Sequence, residues 1–358
     1  MPLADLNDDP RLVSAIGVAT TYGVVHAVLD APCAALLLHQ AASATLSIDA
    51  FWTLFIVYHC LAFGLQFSIG AAVDRWRHHQ LAVQAGLGSL CLAVTVFLDV
   101  PWVAAVLAGV GNALFHVGAG AVVLRLYSRA TLPAGIFVAP GVVGLALGGL
   151  CAKWVPHWNW LLLGLLLASM VVVHWLDGRT ENEPAPRPAC PVFPIRIVWI
   201  AVCAMGLSVV IRTAVALLIG RMHDGEPYVL FSLAVAACVG NVLGGFFADR
   251  LGWITTGVGA LLLSAPLLSF FAGGDLPAIA GMVLFQMTMP VTLLAIYRVF
   301  PEEPGLAFGV PSLAILLGAL PVYLFPLGLF SSAAAILSLI LFSAVVLLFG
   351  LGKCDWCR

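Results

Sequence analysis

The chain has 358 residues, of which 62% are hydrophobic and only 9% charged, and its mean hydropathy is +1.09. A soluble domain carries about 25% charged residues, so a surface that faces mostly water is excluded and lipid is the expected solvent. The net charge of −2 offers no electrostatic footprint for nucleic acid, and none is expected as a partner.

The N-terminus, MPLADLNDDPRL, is acidic and contains proline. It lacks the basic start and small-residue cleavage site of a secretory signal, so the first apolar stretch is expected to stay as a transmembrane helix. A spanning helix needs about 20 mostly apolar residues. Punctuation by Pro, Gly and charge predicts twelve, near 12–40, 50–73, 80–98, 101–127, 133–152, 159–176, 195–220, 227–248, 254–272, 277–299, 304–324 and 328–351. The stretch from Asp177 to Arg196, DGRTENEPAPRPACPVFPIR, is the richest in Pro and charge and reads as a linker. The expected organisation is an all-α membrane protein. A six-helix lobe (1–176) is followed by a cytosolic linker (177–194) and a second six-helix lobe (195–358).

Lys and Arg placement gives the orientation. With the N-terminus in the cytosol, twelve of the fifteen basic residues fall inside, two (Lys153 and Arg221) outside, and Arg212 within a span. A multi-pass protein of the bacterial inner membrane is expected, monomeric, with both termini cytoplasmic. Six cysteines lie in apolar runs and the other three in segments placed in the reducing cytosol, so no disulfide framework is implied. The tail Cys354-Asp-Trp-Cys357 is one pair, too few for a four-ligand zinc site.

Two segments repeat. Span two ends Gly70-x-x-x-Asp74-Arg75 and span eight ends Gly245-x-x-x-Asp249-Arg250, 175 residues apart. Leu114-Phe115-His116 matches Leu284-Phe285-Gln286, and Ile136 to Pro140 matches Ala307 to Pro311, at separations of 170 and 171. Repeats spaced by half the chain mark transporters made by duplication. In the G-x-x-x-D-R unit, Gly lets a neighbouring helix come close. The Asp can receive N–H groups at a facing helix N-terminus, and the Arg suits an anionic membrane surface. A gating role is the expectation; plain helix-end capping is the alternative.

These two segments resemble the loop signature of the major facilitator superfamily. The first half is similar to a narrower branch, the fosmidomycin-resistance-like transporters. The resemblance is carried by His26-Ala-Val-Leu-Asp30 in span one, Gly109-Val-Gly111-Asn-Ala-Leu-Phe115-His116 in span four, and the Gly-rich span five from Gly135 to Gly148. Val117 and Gly118 stand where that branch carries Pro and an acidic residue. The resemblance implies twelve helices in two pseudo-symmetric lobes, a substrate cavity between them, and alternating access, often driven by protons.

An ionisable group at bilayer depth costs about 2.5–3.5 kcal/mol on insertion scales, so each is a candidate for function. His26 and Asp30 share one helix face. With His116 they are expected to form a cluster that loads and releases a proton; the alternative is a static hydrogen-bonded pair stitching helices one and four, with His116 locking a helix crossing. Arg212 is expected to face them from the other lobe and to bind an anionic group or pair with Asp30; the alternative is that it snorkels to the outer surface. Gln66 and Gln286 are candidate neutral contacts. His59, beside Tyr58, is read as interfacial.

The function expected from these readings is proton-coupled export of a small organic molecule. A divalent-metal carrier using His26, Asp30, Cys33 and His116 is the alternative within transport. A transporter-like receptor or assembly partner is the alternative of another class. The sequence shows no nucleophile set beside a base and no regularly spaced metal-ligand trio, so neither an enzyme nor a bound cofactor or metal is expected.

Overall fold

The computed structural model describes residues 9–42, 46–180, 195–325 and 328–353, and within them twelve helical passes. They are α1 (Pro10–Ala42), α2 (Ile48–Trp76), α3 (His79–Ala93), α4 (Pro101–Leu126), α5 (Leu132–Trp154) and α6 (Trp158–Thr180), then α7 (Ile195–Met222), α8 (Pro227–Leu251), α9 (Trp253–Phe270), α10 (Asp275–Val299), α11 (Pro304–Leu324) and α12 (Ala333–Lys353). Eleven are long and apolar enough to cross a membrane unaided.

The shorter pass is α3, with 15 residues where the sequence predicts a helix to residue 98. Val94-Thr95-Val96 follows Ala93, and β-branched side chains lose rotamer freedom in a helix. The Thr95 hydroxyl also donates back to the Cys91 carbonyl, and turns carry the chain on to Pro101. At the centre of the chain α6 runs to Thr180; the rest of the predicted linker, and the Cys354/Cys357 tail, lie outside the described residues.

Packing follows a two-fold plan. Within the first lobe α1 lies on α5 and α3 on α4; within the second, α7 lies on α11 and α9 on α10. Between the lobes the large contacts are α2 with α11 and α5 with α8. Small residues allow the closest crossing. Gly144 and Gly148 of α5 sit against Ala27 and Ala31 of α1, where a Cβ would overlap the facing backbone.

Two helices are distorted near the middle of their length. In α2 a π-turn occupies Cys60–Gly64, a feature frequent at functional sites. In α10 the helix breaks at Met287. Pro290 lacks the N–H that would bond back to Gln286.

Candidate functional site

The duplicated motif joins the lobes at one end of the bundle. Asp74 of α2 accepts the backbone N–H groups of Gly305 (2.9 Å) and Leu306 (2.8 Å) at the start of α11. Asp249 of α8 accepts those of Thr131 (2.6 Å) and Leu132 (3.0 Å) at the start of α5. Each carboxylate therefore caps a helix of the opposite lobe, where the orphan N–H groups and the macrodipole favour a negative charge. Gly70 lies against Gly305, and Gly245 against Thr131 and Leu132, leaving no room for a side chain.

The side chains around the two caps differ. Asp74 is also bonded by His79 Nε2 at 2.9 Å. On the other side Arg298 donates to the Ser128 carbonyl and lies over the Trp253 ring, whose N–H reaches the Thr131 hydroxyl. Arg75 and Arg250 take no part in either cap; Arg250 stacks on Phe246.

The caps correct one register. Thr131 and Leu132 correspond to Gly305 and Leu306, a separation of 174 rather than 171. Gly135 and Gly309 then meet Asn241 and Gln66, themselves 175 apart. The shared Phe and Pro had suggested the wrong alignment by nearly one helical turn.

Between the lobes, beyond this closed end, lies a cavity of about 530 Å³. It is lined by His26, Asp30, Gln66, Asn112 and His116 from the first lobe and by Arg212, Asn241 and Gln286 from the second, and it reaches Leu37 and Leu217 toward the opposite end. Phe137 and Phe308, one from each lobe, meet at a centroid distance of 5.8 Å.

His26, Asp30 and His116 do come together. His26 Nε2 is 3.2 Å from Asp30 Oδ2 and 2.8 Å from His116 Nε2. Asn112 donates to Asp30 Oδ1 at 3.0 Å. The outer ring nitrogens settle the tautomers. His26 Nδ1 faces the Phe137 carbonyl at 3.0 Å, and His116 Nδ1 faces the Asn112 carbonyl at 2.8 Å. A carbonyl only accepts, so both Nδ1 atoms carry hydrogen. Were both rings neutral, two lone pairs would then confront each other at 2.8 Å. One further proton between the Nε2 atoms removes the conflict, with Asp30 balancing its charge. Three ligand atoms of this cluster also lie within 4.8 Å of one another, close enough to hold a metal ion.

Arg212 does not snorkel. It is 6% exposed and its guanidinium donates to the Ser208 carbonyl and to the hydroxyls of Thr288 and Thr292. Those hydroxyls donate onward to the Phe285 and Thr288 carbonyls, leaving their lone pairs to the arginine. Gln66 is fully buried and donates to the Ala62 carbonyl. Gln286 lines the cavity with its amide nitrogen 3.8 Å from the Met282 sulfur.

His59 is the misplaced residue. It lines the cavity, against the rings of Phe55 and, across the lobe interface, Tyr323. Asn112, Asn241, Thr288 and Thr292 were missed. The 175-residue repeat pointed to Asn241 as the counterpart of Gln66, and the Thr288/Thr292 spacing puts two hydroxyls on one helix face.

No family model matches the chain, and no curated protein does. Solved structures do. The transporter FucP in the outward conformation is 15% identical, with a TM-score of 0.67, and the alignment covers 96% of this chain and 98% of that one. The human organic anion transporter MFSD10 is 13% identical, with a TM-score of 0.65 and full coverage of both chains. A bacterial homologue of the iron transporter ferroportin, in its outward-facing state, is 15% identical, with a TM-score of 0.58 and coverage of 95% and 99%. At these identities the likeness is one of fold: two six-helix lobes about a central cavity, the architecture of the major facilitator superfamily transporters.

Proposed function

We propose that the protein is a secondary active transporter of the major facilitator superfamily, coupled to protons and carrying a small organic molecule by alternating access of its two lobes. The observation that carries this reading is the facing Nε2 pair of His26 and His116, whose geometry calls for one exchangeable proton at the wall of the cavity. The paired Asp74 and Asp249 caps act as the gate. Opening this end breaks the four cap bonds and, beside the Asp249 cap, the Arg298 and Trp253 bonds to the first lobe, while the contacts inside each lobe stay intact. The bias of Lys and Arg supports an inner-membrane placement with this gate in the cytosol, so the state described faces outward. Among the structures of like fold, FucP of E. coli is described as a fucose:proton symporter.

Ligands found by thermal shift of the purified protein should accumulate in proteoliposomes under an imposed pH gradient. Asp30→Asn should insert and melt normally yet lose this accumulation; full accumulation by the variant would remove the proposed proton site. A second reading, carriage of a divalent cation, draws on the three gathered donor atoms. Retention of radiolabelled Zn²⁺ that is lost in Asp30→Ala would favour it instead.

A further inference from the structure

Asp30 and Arg212 are the only full charges among the residues lining the cavity. They cancel, so the proton shared by His26 and His116 leaves the chamber with one net positive charge. The other titratable groups facing the cluster are Cys33 and Tyr58 in the first lobe, the His59 ring beside them, and Tyr323 across the interface; none supplies a negative charge at neutral pH.

Arg212 marks where a compensating charge would sit. Its bonds to Ser208, Thr288 and Thr292 use three of five N–H donors. Among the described residues no carboxylate lies within salt-bridge distance of it. A buried cation on a cavity wall, with its fork held by two hydroxyls and donors to spare, suits a carboxylate-type anion. Around it the wall is apolar, with Phe285, Met289, Leu293 and Phe308. Three amide oxygens of cavity-lining residues, those of Gln66 and Asn112 from the first lobe and of Asn241 from the second, have no partner among the described residues and can accept from a donor brought by a ligand.

We propose that the chamber binds an organic monoanion, anchored on Arg212 and carrying a hydroxyl or N–H donor for those amide oxygens, and that this anion binds together with the His26–His116 proton. The inference deepens the transport reading and rests on it. Linkage is reciprocal, so each ligand raises the affinity for the other. The empty, deprotonated chamber and the doubly loaded one are both neutral; only the half-loaded states carry a net charge, which is costly to bury at bilayer depth. The carrier therefore crosses empty or full. This makes the cycle an electroneutral proton–anion cotransport, in place of the export expected from the sequence.

The test uses the full chain in nanodiscs and three probes of one shape: 4-hydroxybenzoate, 4-hydroxybenzamide and 4-hydroxybenzylamine. Calorimetry in two buffers of different ionisation enthalpy, from pH 6 to 9, reports affinity and protons taken up. The benzoate should bind at least tenfold more tightly than the amide or the amine, and Arg212→Gln, checked for an unchanged fold by circular dichroism, should abolish the preference. Wild-type affinity for the benzoate should fall about tenfold as the cluster loses its proton, within the usual 5–150-fold span of such couplings, with net proton uptake in that range. His116→Gln should flatten the pH dependence. Equal binding of the neutral or cationic probe, absence of benzoate binding, or pH-independent binding without proton uptake would overturn the proposal. Intact, proton-linked binding without flux in proteoliposomes would sink the transport reading alone.

Discussion

Replacing Asp249 by Asn should open the gate without unfolding either lobe. The carboxylate receives the Thr131 N–H on one oxygen and the Leu132 N–H on the other. Asparagine keeps one acceptor and turns an NH₂ group toward the second N–H. A hydrogen bond to a charged group is worth about 1.5–3 kcal/mol, and the surviving bond loses its charge assistance, so the closed gate should weaken by roughly 2–3 kcal/mol. That shifts the closed-to-open ratio roughly 30- to 150-fold. Asp74→Asn removes the same bonds at the other gate, though His79 Nε2 can stay on the remaining oxygen, so its effect should be smaller. The two carboxylates share no partner, and the double variant should lose about the sum. Ser128 offers a reporter. It is buried, in the turn between α4 and α5, beneath Arg298 of the other lobe. Ser128→Cys, in a background with the native cysteines replaced, should react with a maleimide at least tenfold faster once Asp249→Asn is added, and faster still in the double variant. Unchanged labelling in a double variant that melts like its parent would refute the assignment of these carboxylates to a gate.

Gly148→Ala would press a methyl group into the backbone of Ala31, an overpacking that should lower stability by about 1–3 kcal/mol. Gly164→Ala, with open space around it, should leave the melting temperature unchanged or raise it, since Ala is the better helix former by about 1 kcal/mol. Thr288→Val with Thr292→Val leaves the buried Arg212 only the Ser208 carbonyl, and should cost roughly 3–6 kcal/mol in chemical denaturation. At the membrane surface, the Arg11 backbone N–H and the Tyr127 hydroxyl hold the Asp9 carboxyl below its ordinary value of 3.8. A depressed carboxylate contributes stability above the unfolded value and loses it as pH falls through the folded one. Tyr127→Phe should therefore reduce the loss of N-terminal protection as pH falls below 3.8, read by limited pepsin proteolysis.

The features legible in the sequence are those set by local patterns. Lipid demands long apolar helices, so twelve passes are legible by composition, and α3 differs only where β-branched residues end it early. The i, i+4 spacing of His26 and Asp30 fixed their shared face, and two copies of G-x-x-x-D-R located both interlobe caps. Apart from the meeting of His116 with His26 and Asp30, contacts between distant helices were not legible. Asn112 looks like any polar residue in a small-residue helix until α1 brings Asp30 against it. His59 sits among Trp52, Phe55 and Tyr58, which looks like an interfacial belt; the π-turn that follows and the approach of Tyr323 from the other lobe give it a place on the cavity wall instead.

The two lobes keep their symmetry at the Asp74 and Asp249 caps and lose it in the cavity, and the proposed alternating access accounts for both. Each of these carboxylates performs the same task, capping a helix start of the opposite lobe, so the duplicated residues can stay alike in kind and place. In the cavity the equivalent surfaces face each other. Two copies of the His26–Asp30–His116 cluster would set carboxylate against carboxylate, and two copies of Arg212 would bury paired cations without counter-ions. A chamber that is neutral when empty needs one charge of each sign. The first lobe supplies the negative charge of Asp30 and the second the positive charge of Arg212, while the amides Gln66 and Asn241, which carry no charge, remain as a matched pair.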